Sequence, residues 1–273
     1  MINLPFKNSI LSTLLKQRIK QINNVNSSPL ITQEKIFTGL IKKALNTKFG
    51  NDHSFSKIKT YDDYKKNVPI RKYEEIFPYI EQMRLGKKNI LWPGKTNFFT
   101  ISSGTTNAKS KYIPLSNNTL YDCHFKGGKD MLAIYLNNNP ESRVFNGKGI
   151  MLGGSKKTNN KIIEGDLSAI LLDNFPFWVN SHRIPDIETA LSDNWNKKLE
   201  KITEQSINQN ITNLTGVPSW MLILLSKIIK KTGVKNINEI WPNLELYMHG
   251  GVNFKPYKNQ FSKLIGNKKM NYL

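Results

Sequence analysis

From Gly149 onward, short apolar runs alternate with longer amphipathic stretches, and no other feature of the sequence narrows the fold as much. Gly149-Ile150-Met151-Leu152 reads as a short buried strand that ends at Gly153-Gly154-Ser155. Asn213 to Gly216 and Leu244-Glu245-Leu246-Tyr247-Met248 read as further strands, with another beginning at Lys269. The segments between them read as helices. One is N-capped by Asp186 and runs to about Gln209; one opens at Pro218 and runs through Lys231, with Gly233 to cap it; one covers about 255–265. Strand and helix in alternation predict α/β units. Ligands of such sheets bind beyond the carboxyl ends of the strands, where Gly250-Gly251 falls. A glycine pair there admits a flat ring close to the backbone, and it serves a tight strand-to-helix turn equally well.

The first half is organised differently. Residues 8 to about 23 suit a basic amphipathic helix, with Ile10, Leu11, Leu14, Leu15, Arg18 and Ile19 at helical spacing. Thr32 to Lys48 is expected to be a second helix, ended by Gly50. A short helical piece begins at Tyr61, and residues 72–86 suit a helix kinked at Pro78. A hairpin follows over about 97–115. Phe98-Phe99-Thr100-Ile101 leads into its turn and Lys111-Tyr112-Ile113-Pro114-Leu115 leads out. Asn118 to Leu136 reads as helix, weakened by Gly127-Gly128.

The hairpin's turn carries the strongest chemical signal in the chain. Ser102-Ser103-Gly104-Thr105-Thr106-Asn107-Ala108-Lys109-Ser110-Lys111 places hydroxyls, glycine and two lysines on one connection. Backbone N–H groups, hydroxyl donors and ammonium charge gathered in this way suit one anion, and a nucleotide's phosphates are the obvious candidate. It is not a P-loop, because Lys109 stands where the second glycine belongs and a strand follows instead of a helix. Residues of these types also make ordinary turns, so the segment alone does not decide.

Ser-Ser-Gly-Thr-Thr-x-x-Lys-x-Lys-x-Ile-Pro resembles the ATP-phosphate loop of the GH3 family, the acyl acid–amido synthetases of the adenylate-forming superfamily. The flanks are similar too. Val68-Pro69-Ile70-Arg71, Tyr79-Ile80 and Leu91-Trp92-Pro93-Gly94 precede the loop. Leu214-Thr215-Gly216-Val217-Pro218-Ser219-Trp220, Trp241-Pro242-Asn243-Leu244 and His249-Gly250-Gly251-Val252-x-Phe254-x-Pro256-Tyr257 follow it. The resemblance runs from about Thr32 to the end. Ala108 departs from it, since many members have glycine at that place.

The resemblance implies an α/β fold: the large N-terminal domain of an adenylate-forming enzyme, with a mixed sheet and packed helices, truncated at its C-terminus. It implies an ATP-dependent ligase that joins a carboxylic acid to an amino acid by way of an acyl-adenylate, using Mg²⁺. Ser102, Ser103, Gly104, Thr105, Thr106, Lys109 and Lys111 would hold the phosphates, with Lys111 also catalytic. Gly250, Gly251 and Val252 would lie near the adenine. Val217, Ser219, Trp220 and His249 would line the acyl pocket, although core packing explains each of these equally well. Arg183 could meet a carboxylate or be structural. The family's aromatic-x-x-Ser-Glu segment should follow the strand at Lys269–Leu273, and neither it nor the small C-terminal domain is in the sequence. The expectation is therefore residues 1–273 as an incomplete N-terminal domain, inactive by itself.

Two other readings compete. An adenylating enzyme that passes the acyl group to coenzyme A would share the loop, though Lys109-Ser110-Lys111 favours the amide-forming family. A basic nucleic-acid-binding module would explain the net charge of +20. Against it, the lysines are dispersed and arginine is confined to Arg18, Arg71, Arg84, Arg143 and Arg183. That pattern suits an AT-rich coding sequence, and no nucleic-acid partner is expected. Cys123 stands alone, which excludes a disulfide framework, and it is expected in the core. With no secretory signal and no apolar run of membrane-spanning length, the expectation is a cytoplasmic protein without a membrane partner or a protein-bound metal.

Overall fold

The computed structural model describes residues 7–102 and 110–273. Among these, nine strands are formed: β1 Phe98–Ser102, β2 Lys111–Leu115, β3 Lys148–Met151, β4 Lys156–Asn159, β5 Ile162–Gly165, β6 Arg183–Ile184, β7 Ile211–Gly216, β8 Leu246–His249 and β9 Asn271–Tyr272. They make two sheets, ordered β2-β1-β5-β4 and β6-β3-β7-β8-β9. The chain divides into two compact units, each holding one sheet. Gln17–Ile134 with Lys157–Leu167 form one; residues 7–16, Tyr135–Lys156 and Ser168–Leu273 form the other. No helix among the described residues is long and apolar enough to cross a membrane.

The expected hairpin is present. β1 pairs antiparallel with β2, with Phe98 opposite Leu115 and Ser102 opposite Lys111. β1 also pairs parallel with β5, so this sheet is mixed. Helix Tyr73–Arg84 guards the open edge of β2. The Tyr73 hydroxyl accepts from Tyr112 N at 2.7 Å and lies 3.2 Å from Tyr112 O, so it completes the pairing a neighbouring strand would supply. At the other end of the helix, the Arg84 guanidinium lies 3.7 Å over the Tyr112 ring and bonds Glu164 on β5 at 2.9 Å. Two modest apolar clusters support this unit, one around Phe55 and Ile41, the other around Phe99, Ile80 and Met83.

Three expectations for this unit need correcting. The second helix spans Pro29–Ala44 and is not ended by Gly50. Thr47 starts a new turn, Lys48–Asp52, by accepting from Gly50 N at 3.0 Å. Gly50 sits so close to the preceding chain that a Cβ would fall 2.2 Å from Ala44 O. Cys123 is exposed, not buried. It lies on a π-helical stretch, Thr119–Phe125, that buries Leu120 in its place. This stretch also replaces the first turns of the helix expected from Asn118, whose regular part is Lys126–Asn138.

The second unit is the α/β sheet anticipated from the alternation. Among the described residues its strands pair in parallel: β6 to β3, β3 to β7, β7 to β8 and β8 to β9. Helix Pro218–Thr232 has proline in its first turn and ends on Gly233, whose φ of +74° is the left-handed cap glycine accommodates. The expected helix from Asp186 is two helices, Ile187–Leu191 and Trp195–Ser206. Asp186 does cap the first, accepting from Thr189 N at 2.9 Å. Asn194 then caps the second, accepting from Lys197 N at 3.0 Å. A single core joins the sheet to these helices through Ile150, Leu214, Leu224, Trp241, Tyr247 and Phe261. Polar residues on β7 are accommodated individually. Gly149 leaves room for Asn213, where a Cβ would meet Oδ1 at 2.3 Å.

Candidate functional site

Two places carry the residues singled out from sequence, one in each unit. In the mixed-sheet unit β1 and β2 bring Ser102 and Lys111 opposite one another at their paired ends. The Lys111 ammonium sits 5.3 Å from the centre of the Tyr73 ring, an attractive contact between a cation and an aromatic face. Tyr73 therefore fixes both the edge of β2 and the lysine that leaves the turn. Ser103, Gly104, Thr105, Thr106 and Lys109 lie outside the described residues.

In the parallel-sheet unit the carboxyl ends of β3, β7 and β8 lie side by side. Gly216 is in register with His249, so the segment from Val217 and the segment from His249 leave the sheet as neighbours. A Cβ on Gly251 would lie 3.4 Å from Val217 Cγ2, and Gly251 has φ +83°, which L side chains rarely adopt. Its glycine is explained by the turn. Gly250 and Val252 are exposed, and nothing approaches within 4 Å of a Cβ placed on Gly250. Val217, Ser219, Trp220 and His249 are half-buried. The Trp220 ring meets Trp195 at 5.1 Å, and Met221 behind it is fully buried.

His249 ends β8. Its ring stacks on Phe254 at 4.2 Å with 18° between the planes, because the glycine turn brings Phe254 back over the strand end. Tyr247 lies 5.6 Å away. Burial holds the His249 pKa below that of an ordinary imidazole. Tyr247 donates its hydroxyl proton to Gly216 O at 2.8 Å, and burial pushes its pKa up.

The sequence reading missed Lys198. This lysine is 2% exposed, and its ammonium donates to Gly153 O at 3.0 Å and Gly154 O at 2.9 Å. Ser168 Oγ accepts from Gly154 N at 3.0 Å, and a Cβ on Gly153 would strike Leu172 at 2.6 Å. The loop after β3 is thus braced from three directions. The signal was present in the helix: Lys198 falls on the buried stripe with Leu199, Ile202, Thr203 and Ser206. A lysine on an apolar face needs oxygen partners.

Arg183 is buried within its own segment, donating to Asn180 Oδ1 at 2.7 Å and Pro185 O at 2.9 Å. Desolvation lowers its pKa, although Asp186 opposes the shift. Among the described residues no cluster of three His, Cys, Asp or Glu side chains could hold a metal ion.

Comparison with known proteins gives a consistent result. The GH3 family N-terminal domain matches residues 18–270. The 4-substituted benzoates-glutamate ligase GH3.12 of Arabidopsis thaliana is 27% identical over 133 residues, covering 42% of this chain and 23% of that protein. Among solved structures, the GH3.15 acyl acid amido synthetase matches with a TM-score of 0.70 at 11% identity, over 92% of this chain and 54% of the other. AtGH3.15 in complex with 2,4-DB gives 0.71 at 14% identity, over 98% and 55%. These likenesses establish the fold, and the chain spans about half the length of the solved structures it matches.

Proposed function

This chain belongs to the GH3 family, and on that premise we propose that it carries the nucleotide- and acyl-binding part of an ATP-dependent acid–amino acid ligase. The observation that carries the proposal is the β1–β2 hairpin. It sets Ser102 opposite Lys111 in register, at the two ends of the Ser-Gly-Thr-Thr segment, within a chain that the family match covers over residues 18–270. The relatives support the reaction class, since one is named as a benzoate–glutamate ligase and another as an acyl acid amido synthetase.

In this reading Ser102, Ser103, Gly104, Thr105 and Thr106 hold the triphosphate, and Lys109 and Lys111 offset its charge. Gly250, Gly251 and Val252 serve the adenine. Val217, Ser219, Trp220 and His249 serve the acid. A carboxylate, ionised at neutral pH, attacks the α-phosphorus and pyrophosphate leaves. Both reactants are anions, so positioning and charge stabilisation are what the protein must supply. Mg²⁺ bound to the phosphates would lower the repulsion between them. An amino acid's amine then attacks the acyl carbon and AMP leaves. The substrates in the name of the Arabidopsis ligase make a 4-substituted benzoate with glutamate the first pair to try.

ATP–pyrophosphate exchange dependent on a carboxylic acid tests the proposal on the full-length protein. Lys111→Ala and Ser103→Ala should each lower exchange by about 100-fold or more, the scale of removing a transition-state donor. Exchange within a few-fold of wild type in both variants would sink the loop assignment. Acid-dependent transfer to coenzyme A without amide formation would favour the thiol-directed alternative.

A further inference from the structure

We propose that His249 is the general base of the amide-forming half-reaction, accepting a proton from the incoming amino group. The inference rests on the ligase function proposed above and assigns a group to the one proton transfer that function leaves without an acceptor.

The need comes from the chemistry. Adenylation consumes a carboxylate that is already ionised and requires no base. Amide formation consumes an amino acid whose nitrogen is largely an ammonium at neutral pH and has no lone pair to offer. A base must take one proton to free the nitrogen. The lone pair then forms the N–C bond, the bond from the acyl carbon to the phosphate oxygen breaks, and that oxygen leaves with AMP. The nitrogen's remaining surplus proton passes to solvent. No oxidant or further reactant is needed.

The geometry points to His249 as the acceptor. It is the last residue of β8, at the carboxyl end of the parallel sheet, beside Gly216 and the Val217–Trp220 segment. The stack on Phe254 holds the ring plane while leaving its edge, where both nitrogens sit, clear of the stacking contact. Neither nitrogen makes a hydrogen bond among the described residues. Half-burial lowers the ring's pKa and so favours the neutral imidazole, whose lone pair can accept a proton. The neighbouring Tyr247 has other work, since its proton is given to Gly216 O, and it is not an acceptor.

The test separates the two half-reactions. His249→Gln and His249→Phe are compared with wild type, using a 4-substituted benzoate as acid. Two nucleophiles are supplied: glutamate, whose nitrogen is protonated at neutral pH, and hydroxylamine, whose nitrogen is not. Loss of a general base is expected to cost about 100-fold or more with glutamate. Because His249 also lines the proposed acid pocket, ATP–pyrophosphate exchange and hydroxamate formation measure what each variant loses there, and the loss with glutamate should exceed the loss with hydroxylamine by about 100-fold; far-ultraviolet circular dichroism shows that each variant is folded. Equal losses with both nucleophiles, or glutamate turnover within a few-fold of wild type, would overturn His249 as base and leave the ligase reading standing. Failure of the wild-type protein to exchange with any carboxylic acid would instead bring down the function, and the base with it.

Discussion

The two sheets are held by different means. In the parallel-sheet unit a continuous apolar core contains most of the largest fully buried side chains, among them Trp241, Tyr247, Phe261 and Met221. In the mixed-sheet unit the clusters are small, and only Phe99 and Leu120 stand among those largest buried groups. There the hairpin relies on its edge: Tyr73 on the backbone of Tyr112, and Arg84 on the Tyr112 ring and on Glu164. The parallel unit fixes its candidate residues from beneath, by burial. The mixed unit fixes Lys111 from the side, through a few polar and aromatic contacts.

The sharpest way to break this contrast is to attack the core. Trp241 is fully buried and donates its indole N–H to Ser206 O at 3.1 Å. Trp241→Ala removes the largest packed volume and one of the two hydrogen bonds to that carbonyl, which still accepts from Gln209 N at 3.0 Å, so urea denaturation should show a loss of about 3–5 kcal/mol. A loss below about 1 kcal/mol, the usual effect of an exposed site, would mean that the parallel unit is not core-dominated.

Tyr73→Phe examines the other mode. It keeps the ring beneath the Lys111 ammonium and deletes only the hydroxyl that bridges Tyr112 N and O. The stability cost should be about 1 kcal/mol, the net worth of one such hydrogen bond. The informative readout is the KM for ATP, which should rise because β2 carries Lys111. A change in stability without a change in KM would separate the edge lock from nucleotide binding.

How much of this was legible in the sequence follows the same division. β3, β7, β8 and β9 were visible because buried strands must be apolar, and the hairpin because its turn chemistry is dense, whereas β5 and the two-residue β6 were not read from the sequence. The antiparallel pairing followed from the hairpin, whereas the register that sets Ser102 opposite Lys111 came only with the structure. β4 was not legible. Lys156-Lys157-Thr158-Asn159 is an edge strand, largely exposed, with no apolar face to announce it. Its turn into β5 uses Asn160 and Lys161 at φ +46° and +70°, and only the asparagine is a recognisable sign of such a turn. The break between the two helices after Asp186 was written in Ser192-Asp193-Asn194, capping residues that helical periodicity outweighed. Lys198 was hidden for the opposite reason. Lysine belongs on helix surfaces, and only the position of the buried stripe shows that its ammonium must find carbonyls inside. At the strand ends, His249 and the glycine pair were found from motif order, whereas the stack on Phe254 required the turn to be built.

The smallest expected effect concerns helix Lys126–Asn138, where Gly127 and Gly128 stand in regular helix with nothing within 4 Å of a Cβ on either. Neither has a left-handed φ, so no backbone demand explains glycine there. Gly127→Ala and Gly128→Ala should therefore each stabilise by about 0.5–1 kcal/mol, mostly by narrowing the unfolded ensemble. Placed beside Trp241→Ala, the pair calibrates the comparison, since the gain comes from the unfolded chain and the loss from a packed core. The same substitutions also bear on function. If the glycines exist to let this segment, just after the π-helical turns of Thr119–Phe125, change shape during the reaction cycle, stabilisation will come with a fall in turnover. If they are incidental, the doubly substituted protein will be more stable at unchanged kcat, and thermal unfolding and steady-state amide formation on one preparation distinguish the two.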